Sequence, residues 1–300
     1  MQNFLKKTKN SIVVSTTLLI ISLVSRAEVD GPAFKAGQDP KPEGMHWQLL
    51  EDYSDEFNGD ALNTNKWQQD PVGNGWGWIG RPPGLFSKDA VVVKDGKLHI
   101  TASVLPKPVE RKGKTFLYQG AAVRSIKPAR HGWYFEAKMK ANRTEMSSTF
   151  WLMSKNTDCT KKVELDIQEN IGVVSDLAEE WAKQWHRIFH SNAIHRHTKC
   201  QKEPVQKQGQ LLLDEENWQR YFVYAAWWKS PTEIQFFLDG KYAYTINPST
   251  EFDVPMWLHM VVETYDWNPV PKDGGRVAKA PEHERITSYD WVRVWKLSDN

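Results

Sequence analysis

Cysteine is almost missing from this chain, with two residues among 300, so it can form at most one intramolecular disulfide. No Cys-x-x-Cys or His-Glu-x-x-His spacing occurs either, and no metal site is assigned. An excess of one charge is also lacking. A net charge of +2 is too small to suggest a nucleic-acid partner, although a local basic patch could still serve a sulfated polymer. The one long apolar run, Ile12 to Val24, has thirteen residues, short of the roughly 20 that a membrane span needs. Lys6, Lys7 and Lys9 precede it and Ser25-Arg26-Ala27 follows with small residues at cleavage spacing. Residues 1–27 therefore read as a secretory signal, with a mature start near Glu28 and a secreted or periplasmic location. No cysteine lies near that junction to carry a lipid, so no membrane attachment is expected. No Ser/Gly-rich or Pro-rich linker, repeat or low-complexity segment interrupts the rest. The reading is one monomeric domain over 46–300 behind an extension of residues 28–45. In an oxidising compartment Cys159 and Cys200 could pair and staple their loops; two independent thiols are the alternative, since sequence supplies no Cα separation.

What is plentiful is period-2 alternation. Lys97 to Ala102 and Tyr134 to Lys140 read as half-buried antiparallel strands. Asp95-Gly96 and Asp239-Gly240 sit between strand-like runs, as tight hairpins demand. Many strands with short turns imply an all-β sandwich or barrel. One helix is expected from Asp176 to His186: Ser175 can cap it, Glu179 and Glu180 lie early, and Trp181 and Trp185 share a face. Tryptophan is also abundant, at fifteen residues. Flat indoles suit the apolar faces of sugar rings, and Trp76, Trp78, Trp151 and Trp267 are the candidates for such platforms, with most of the others expected in the core.

The most informative stretch is Val163-Glu164-Leu165-Asp166-Ile167-Gln168-Glu169, three acids in an otherwise apolar strand. Residues two apart share a face, so Glu164 and Asp166 project together, and strict alternation would place Gln168 beside them. One inserted residue, a β-bulge, returns Glu169 to that face and bends the strand. An unbent strand would separate residues 164 and 169 by roughly 16 Å, whereas a retaining glycosidase needs its two carboxyls about 5–5.5 Å apart. Asp166, a like charge between them, would help hold a proton on Glu169 and orient Glu164. An acid-studded edge strand that resists aggregation is the bland alternative. It fits poorly with Leu165, Ile167 and the apolar Phe150-Trp151-Leu152-Met153 upstream. The histidine-rich segment 186–197 could be a solvated loop, and zinc ligation with Cys200 lacks a supporting spacing.

Glu-Leu-Asp-Ile-Gln-Glu resembles the bulge-containing catalytic motif of glycoside hydrolase family 16, as found in agarases, porphyranases and κ-carrageenases. Gly80-Arg81-Pro82-Pro83-Gly84-Leu85-Phe86 resembles the cleft loop of the agarase and porphyranase branch, Trp151 matches its cleft tryptophan, and Asp290 to Trp295 is similar to its terminal strand. The resemblance spans about residues 46–297. It implies a jelly-roll β-sandwich of two antiparallel sheets with a concave substrate cleft, and retaining hydrolysis without a cofactor. In that implied scheme Glu164 is nucleophile, Asp166 assistant and Glu169 acid/base; His190 and Arg196 contact substrate or these carboxylates, and Glu263 bonds a sugar hydroxyl. The implied partner is an agarocolloid polysaccharide, porphyran ahead of agarose, with κ-carrageenan third. Porphyran carries a 6-sulfate where agarose has an anhydro bridge. Arg81, Arg196 or Arg124 could meet that sulfate. Asp158 stands near where a typical porphyranase would carry an arginine, with Lys161 or Lys162 as substitutes. A non-catalytic carbohydrate-binding jelly roll is the rival of another class; it would need the aromatics but not all three acids.

Overall fold

Alternating burial marks strands such as Val91–Lys94 and Lys97–Thr101, and the chain forms two stacked sheets. They are seen in a computed structural model that describes residues 30–299 apart from 71–72, 74–76, 156–158 and 160. Trp76, Asp158 and the signal-like segment 1–27 lie outside the described residues. The outer sheet runs in the order Lys241–Ile246, Glu233–Leu238, Phe222–Ser230, Trp133–Lys140, Ile286–Asp299, Lys97–Thr101 and Val91–Lys94, with Met45–Leu49 added along Ile286–Asp299. The second, or cleft, sheet runs Val205–Leu212, Ile188–His195, Val163–Ile171, Ser147–Ser154, Met256–Val262, Lys114–Ser125 and Trp67–Gln68. Gly84–Phe86 and Ser103–Arg111 also pair with Lys114–Ser125. Gly84–Phe86 does so in parallel, and the other ladders between named strands are antiparallel. This is the jelly-roll sandwich that the alternation and the resemblance imply.

The core lies between the sheets. Phe135, Ala137, Val292 and Val294 from the outer sheet meet Phe150, Leu152, Leu165, Ile167, Leu258 and Met260 from the other. Both Asp-Gly pairs close hairpins, with φ of 53° and 69° at Asp95-Gly96 and 49° and 73° at Asp239-Gly240, as a two-residue primed turn requires. The segment from Gly31 belongs to the same compact unit as the sandwich. Its Ala33 N–H donates to the buried Glu136 at 3.0 Å, and Phe34 packs edge-on against Phe237.

The expected helix over 176–186 does not form. Only Glu180–Ala182 makes a single 3₁₀ turn, and the α-helix of the described residues is Gly275–Lys279. Ser175 does accept from Leu177 N–H, but Glu179 adopts an extended ψ of 146° and donates its N–H to Trp267 O. Docking onto the loop after Met256–Val262 therefore outweighs local helix preference. Among the described residues no helix is long and apolar enough to cross a membrane.

Cys159 and Cys200 are bonded to each other, with Cα atoms 4.9 Å apart and a sequence separation of 41. Closing a loop of this size in the unfolded chain contributes about 2–4 kcal/mol. Replacing both cysteines by serine is expected to lower Tm by roughly 4–16 °C for a domain of this size, as read by calorimetry. An unchanged Tm would show that the bridge does not restrain the unfolded chain.

Candidate active site

The three acids reach one face through a register slip. Glu164 pairs with Met153 and Asp166 with Trp151, but Gln168, not Ile167, pairs with Phe150, and Glu169 with Thr149. Ile167 is thus the extra residue of a β-bulge. It stays in the core with Leu165, and Glu169 returns to the side of Glu164 and Asp166. Gln168, fully buried, is bonded at both ends of its amide to the next strand: its Nε2 donates to Ile188 O and its Oε1 accepts from His190 N–H.

The sheet grid then decides what stands near the acids. One row across the cleft reads Asn192, Asp166, Trp151, His259, Arg124 and Gln68. The neighbouring row reads Ile194, Glu164, Met153 and Trp257. Above these strands lies a cleft of about 760 Å³. Its walls include the loop Trp78 to Pro82, the three acids, Glu263 and Tyr265. Gly80 is required in that loop: its φ is 121°, and a Cβ there would come within 2.3 Å of Gly84 O. Thr264 anchors the same loop by donating to Arg81 O at 2.6 Å and accepting from Gly84 N–H at 3.1 Å. Trp78 rests edge-on against Phe86 and Trp151, and Trp151 stacks on His259 with centroids 4.1 Å apart. Burial, then the charge of Arg124, pulls His259 down to about 3, so it is a neutral stacking partner.

Each acid has a distinct environment. Arg196 grips Glu164 through two hydrogen bonds, from Nε at 2.8 Å and from Nη2. Burial works against the Arg196 charge, but Glu164 outweighs it and raises the guanidinium above its ordinary value. Glu169 accepts from Asn192 Nδ2 at 2.7 Å and from the Tyr265 hydroxyl at 3.0 Å, with His190 Nδ1 3.6 Å away. Burial pushes Glu169 up, and these three neighbours more than reverse it, leaving its carboxyl below the usual range. Burial, then the charges of Glu169 and Glu164, hold Asp166 well above that range. Of these two neighbouring carboxyls, Asp166 is therefore the one that holds a proton more tightly. The spacing of the acids suggested Glu169 instead, because the donors that stabilise its charge come from other strands and loops.

The remaining sequence candidates divide. Arg81 donates from Nε to Glu263 at 2.9 Å, and burial lifts Glu263 to about 7 despite that cation. Neither Arg81 nor Arg196 is a bare cation, since each is tied to a buried carboxylate. Lys161 turns away to Asp253 and Glu251 O, whereas Lys162 lines the cleft. Trp267 is not in the cleft wall. It stacks behind Tyr265 at 4.6 Å and joins Trp181 and Trp185 in an aromatic buttress that reaches His190. Sequence reasoning passed over Asn192, Tyr265, Trp257, His259 and Lys155. For Asn192 a signal existed, because it follows His190 by two on one strand and so shares its face. Among the described residues no group of three or more His, Cys, Asp or Glu could hold a metal.

Comparison with known proteins decides the family. The family model of the glycoside hydrolase family 16 domain of β-porphyranases A to D matches residues 47–297. The chain belongs to glycoside hydrolase family 16. It is 42% identical to β-porphyranase B of Zobellia galactanivorans over 98% of this chain and 99% of that one. The crystal structure of porphyranase B from the same organism superposes with a TM-score of 0.83 at 41% identity, covering 90% of this chain and all of that one. β-Agarase AgaB34 of Agarivorans albus is more distant, 27% identical over 96% of this chain and 65% of its own length.

Removing the Tyr265 hydroxyl takes away one donor that favours the charged form of Glu169. In Tyr265→Phe the Glu169 carboxyl is expected to titrate at higher pH than in the wild type, as followed by carbon-13 NMR of labelled glutamates. A titration that stayed in place or moved down would rule out this hydroxyl as a source of the depression.

Proposed function

We propose that the chain is an endo-acting, retaining glycoside hydrolase that cuts β-1,4 bonds of red-algal galactans, with porphyran preferred to agarose. The observation that carries the reading is the bulged strand, which sets Glu164, Asp166 and Glu169 on one face of a cleft crossing several strands. The preference for porphyran draws on the family match and on identities of 42% to a porphyranase against 27% to an agarase. A secreted or periplasmic enzyme suits both a polymeric substrate and the bonded Cys159 and Cys200.

In this mechanism Glu164 attacks the anomeric carbon as the C–O bond to the leaving sugar breaks, and Glu169 supplies the proton that the departing oxygen takes. Arg196 holds Glu164 aimed and supplies its counter-charge. Asp166, next to both, holds the mobile proton in the free enzyme. It passes that proton to Glu169 when substrate displaces water and the Glu169 charge loses solvation. Once the glycosyl–Glu164 ester has formed, Glu169 acts as base, takes a proton from water, and the hydroxyl opens the ester with overall retention. Trp78 and Trp151 offer the apolar surface on which sugar C–H faces pack. Glu263, held by Arg81, offers an acceptor for a sugar hydroxyl.

The decisive test is reducing-end release from porphyran, agarose and κ-carrageenan by the wild type and Glu164→Gln. Porphyran should be cut fastest. The substitution should lower kcat by at least about 10³-fold while leaving the circular dichroism spectrum and Tm unchanged. A variant that kept the wild-type rate would remove Glu164 from the chemistry. A wild type that bound the polymers without releasing reducing ends would make the protein a binding module.

A further inference from the structure

Where the Val163–Ile171 strand bulges it also parts from its other neighbour. The ladder to Ile188–His195 runs from Val163↔His195 to Asp166↔Asn192 and stops there. A bulge takes the backbone groups of its extra residue out of the ladder, and a buried carbonyl must then find another donor. The carbonyl of Ile167 finds the Ser191 hydroxyl, which donates to it at 2.7 Å. Ser191 lies between Phe189 and Ala193 on the core-facing side of its strand and is fully buried, where an apolar residue would be expected. Its one proton is committed to Ile167, so its oxygen is left to accept, and the Tyr244 hydroxyl stands 2.9 Å away. Phe189 O, at 3.4 Å, is the more distant acceptor for that hydroxyl. Tyr244 belongs to Lys241–Ile246, at the edge of the outer sheet, and its ring lies 5.4 Å from that of Phe189 and 5.2 Å from that of Phe236. The ring passes over Gly209, the residue paired with Ser191 on Val205–Leu212, and a Cβ at 209 would come within 2.5 Å of it.

We infer that Ser191 and Tyr244 are positioning residues for the acid/base, joined in a relay from Tyr244 O–H to Ser191 O–H to Ile167 C=O that pins the bulge from the core side and fixes where Glu169 stands. This rests on the reading of Glu169 as the proton donor and deepens it by naming what holds that side chain in place. Gln168 ties the residue after the insertion to the next strand, whereas the relay ties the inserted residue itself. Neither Ser191 nor Tyr244 lines the cleft, so their influence on the chemistry passes through the backbone of residues 167–169. Burial pushes the Glu169 carboxyl up, and His190, Tyr265 and Asn192 more than reverse it. A bulge that swings carries the carboxyl off these donors, and its charged form then loses their support. Because hydroxyls in series polarise one another, loss of the outer one weakens the inner bond as well.

The test combines steady-state hydrolysis of porphyran by the mature chain with carbon-13 NMR titration of its labelled glutamates, the Glu169 signal being assigned with Glu169→Gln. Ser191→Ala orphans the Ile167 carbonyl. It is expected to lower kcat about 10-fold while KM stays within about 2-fold, and to move the Glu169 titration to higher pH. Tyr244→Phe keeps the Ser191 hydroxyl and is expected to lower kcat about 3-fold, with a titration shift of the same sign. Gly209→Ala retains every hydroxyl but must push the Tyr244 ring aside, so it should reproduce Tyr244→Phe. Rates are read well below the Tm of each variant, where lost stability alone does not move them. Variants with a lower Tm but a wild-type kcat and an unmoved Glu169 titration would reduce the relay to core packing and overturn the inference. If Ser191→Ala does not fold, Tyr244→Phe and Gly209→Ala decide by the same two readouts. An inactive wild type whose Glu169 titration still rose in these variants would sink the hydrolase reading and leave the relay standing.

Discussion

Between Asp166 and Gln168 the Val163–Ile171 strand carries one residue more than Ser147–Ser154 can pair. Because side chains alternate with a period of two, everything after such an insertion changes face. Without it Glu169 would point into the layer occupied by Phe150 and Met260, where an ionised carboxylate costs many kcal/mol, and Gln168 would stand beside Asp166. With it, the apolar residues Val163, Leu165 and Ile167 remain in the core while three acids share the cleft. The bulge is secured by Gln168, whose amide bonds to Ile188 O and His190 N–H and so ties the irregular strand to its regular neighbour. Those contacts also set the position of His190 and Asn192, which surround Glu169.

Crowding carboxylates into a half-dry cleft has an electrostatic consequence that the fold answers differently at each acid. Glu164 is matched by a bidentate arginine, Glu263 by Arg81, and Glu169 by Asn192 and His190 from one strand and Tyr265 from a loop. Asp166, deepest among like charges, is relieved by taking the proton. This division leaves one carboxylate gripped and aimed by a cation and a second within reach of a proton, the asymmetry that a two-step displacement needs. It also commits the two arginines most visible in the motifs, Arg81 and Arg196, to buried carboxylates.

Much of the architecture was legible in the chain. The alternation in Lys97–Thr101, the two Asp-Gly turns and the acid spacing that calls for a bulge in Val163–Ile171 are patterns among residues a few positions apart. The helix expected over 176–186 was misread because its local signals were real but weak: Ser175 caps a turn, yet Glu179 spends its N–H on Trp267 O and the tryptophans pack on the neighbouring loop. Trp267 was misplaced for the same reason, since an indole beside a cleft motif can face the cleft or buttress its wall.

The sequence by itself determined the strand period, the face shared by the three acids and the turns, because a pleat's geometry is set within a handful of bonds. Only the tertiary structure decided which cation answers which acid and which acid keeps the proton. Arg81 and Glu263 are 182 positions apart and Tyr265 and Glu169 are 96 apart, and no local rule connects them. Burial and partnership, which set those charges, exist only after the sheets have stacked.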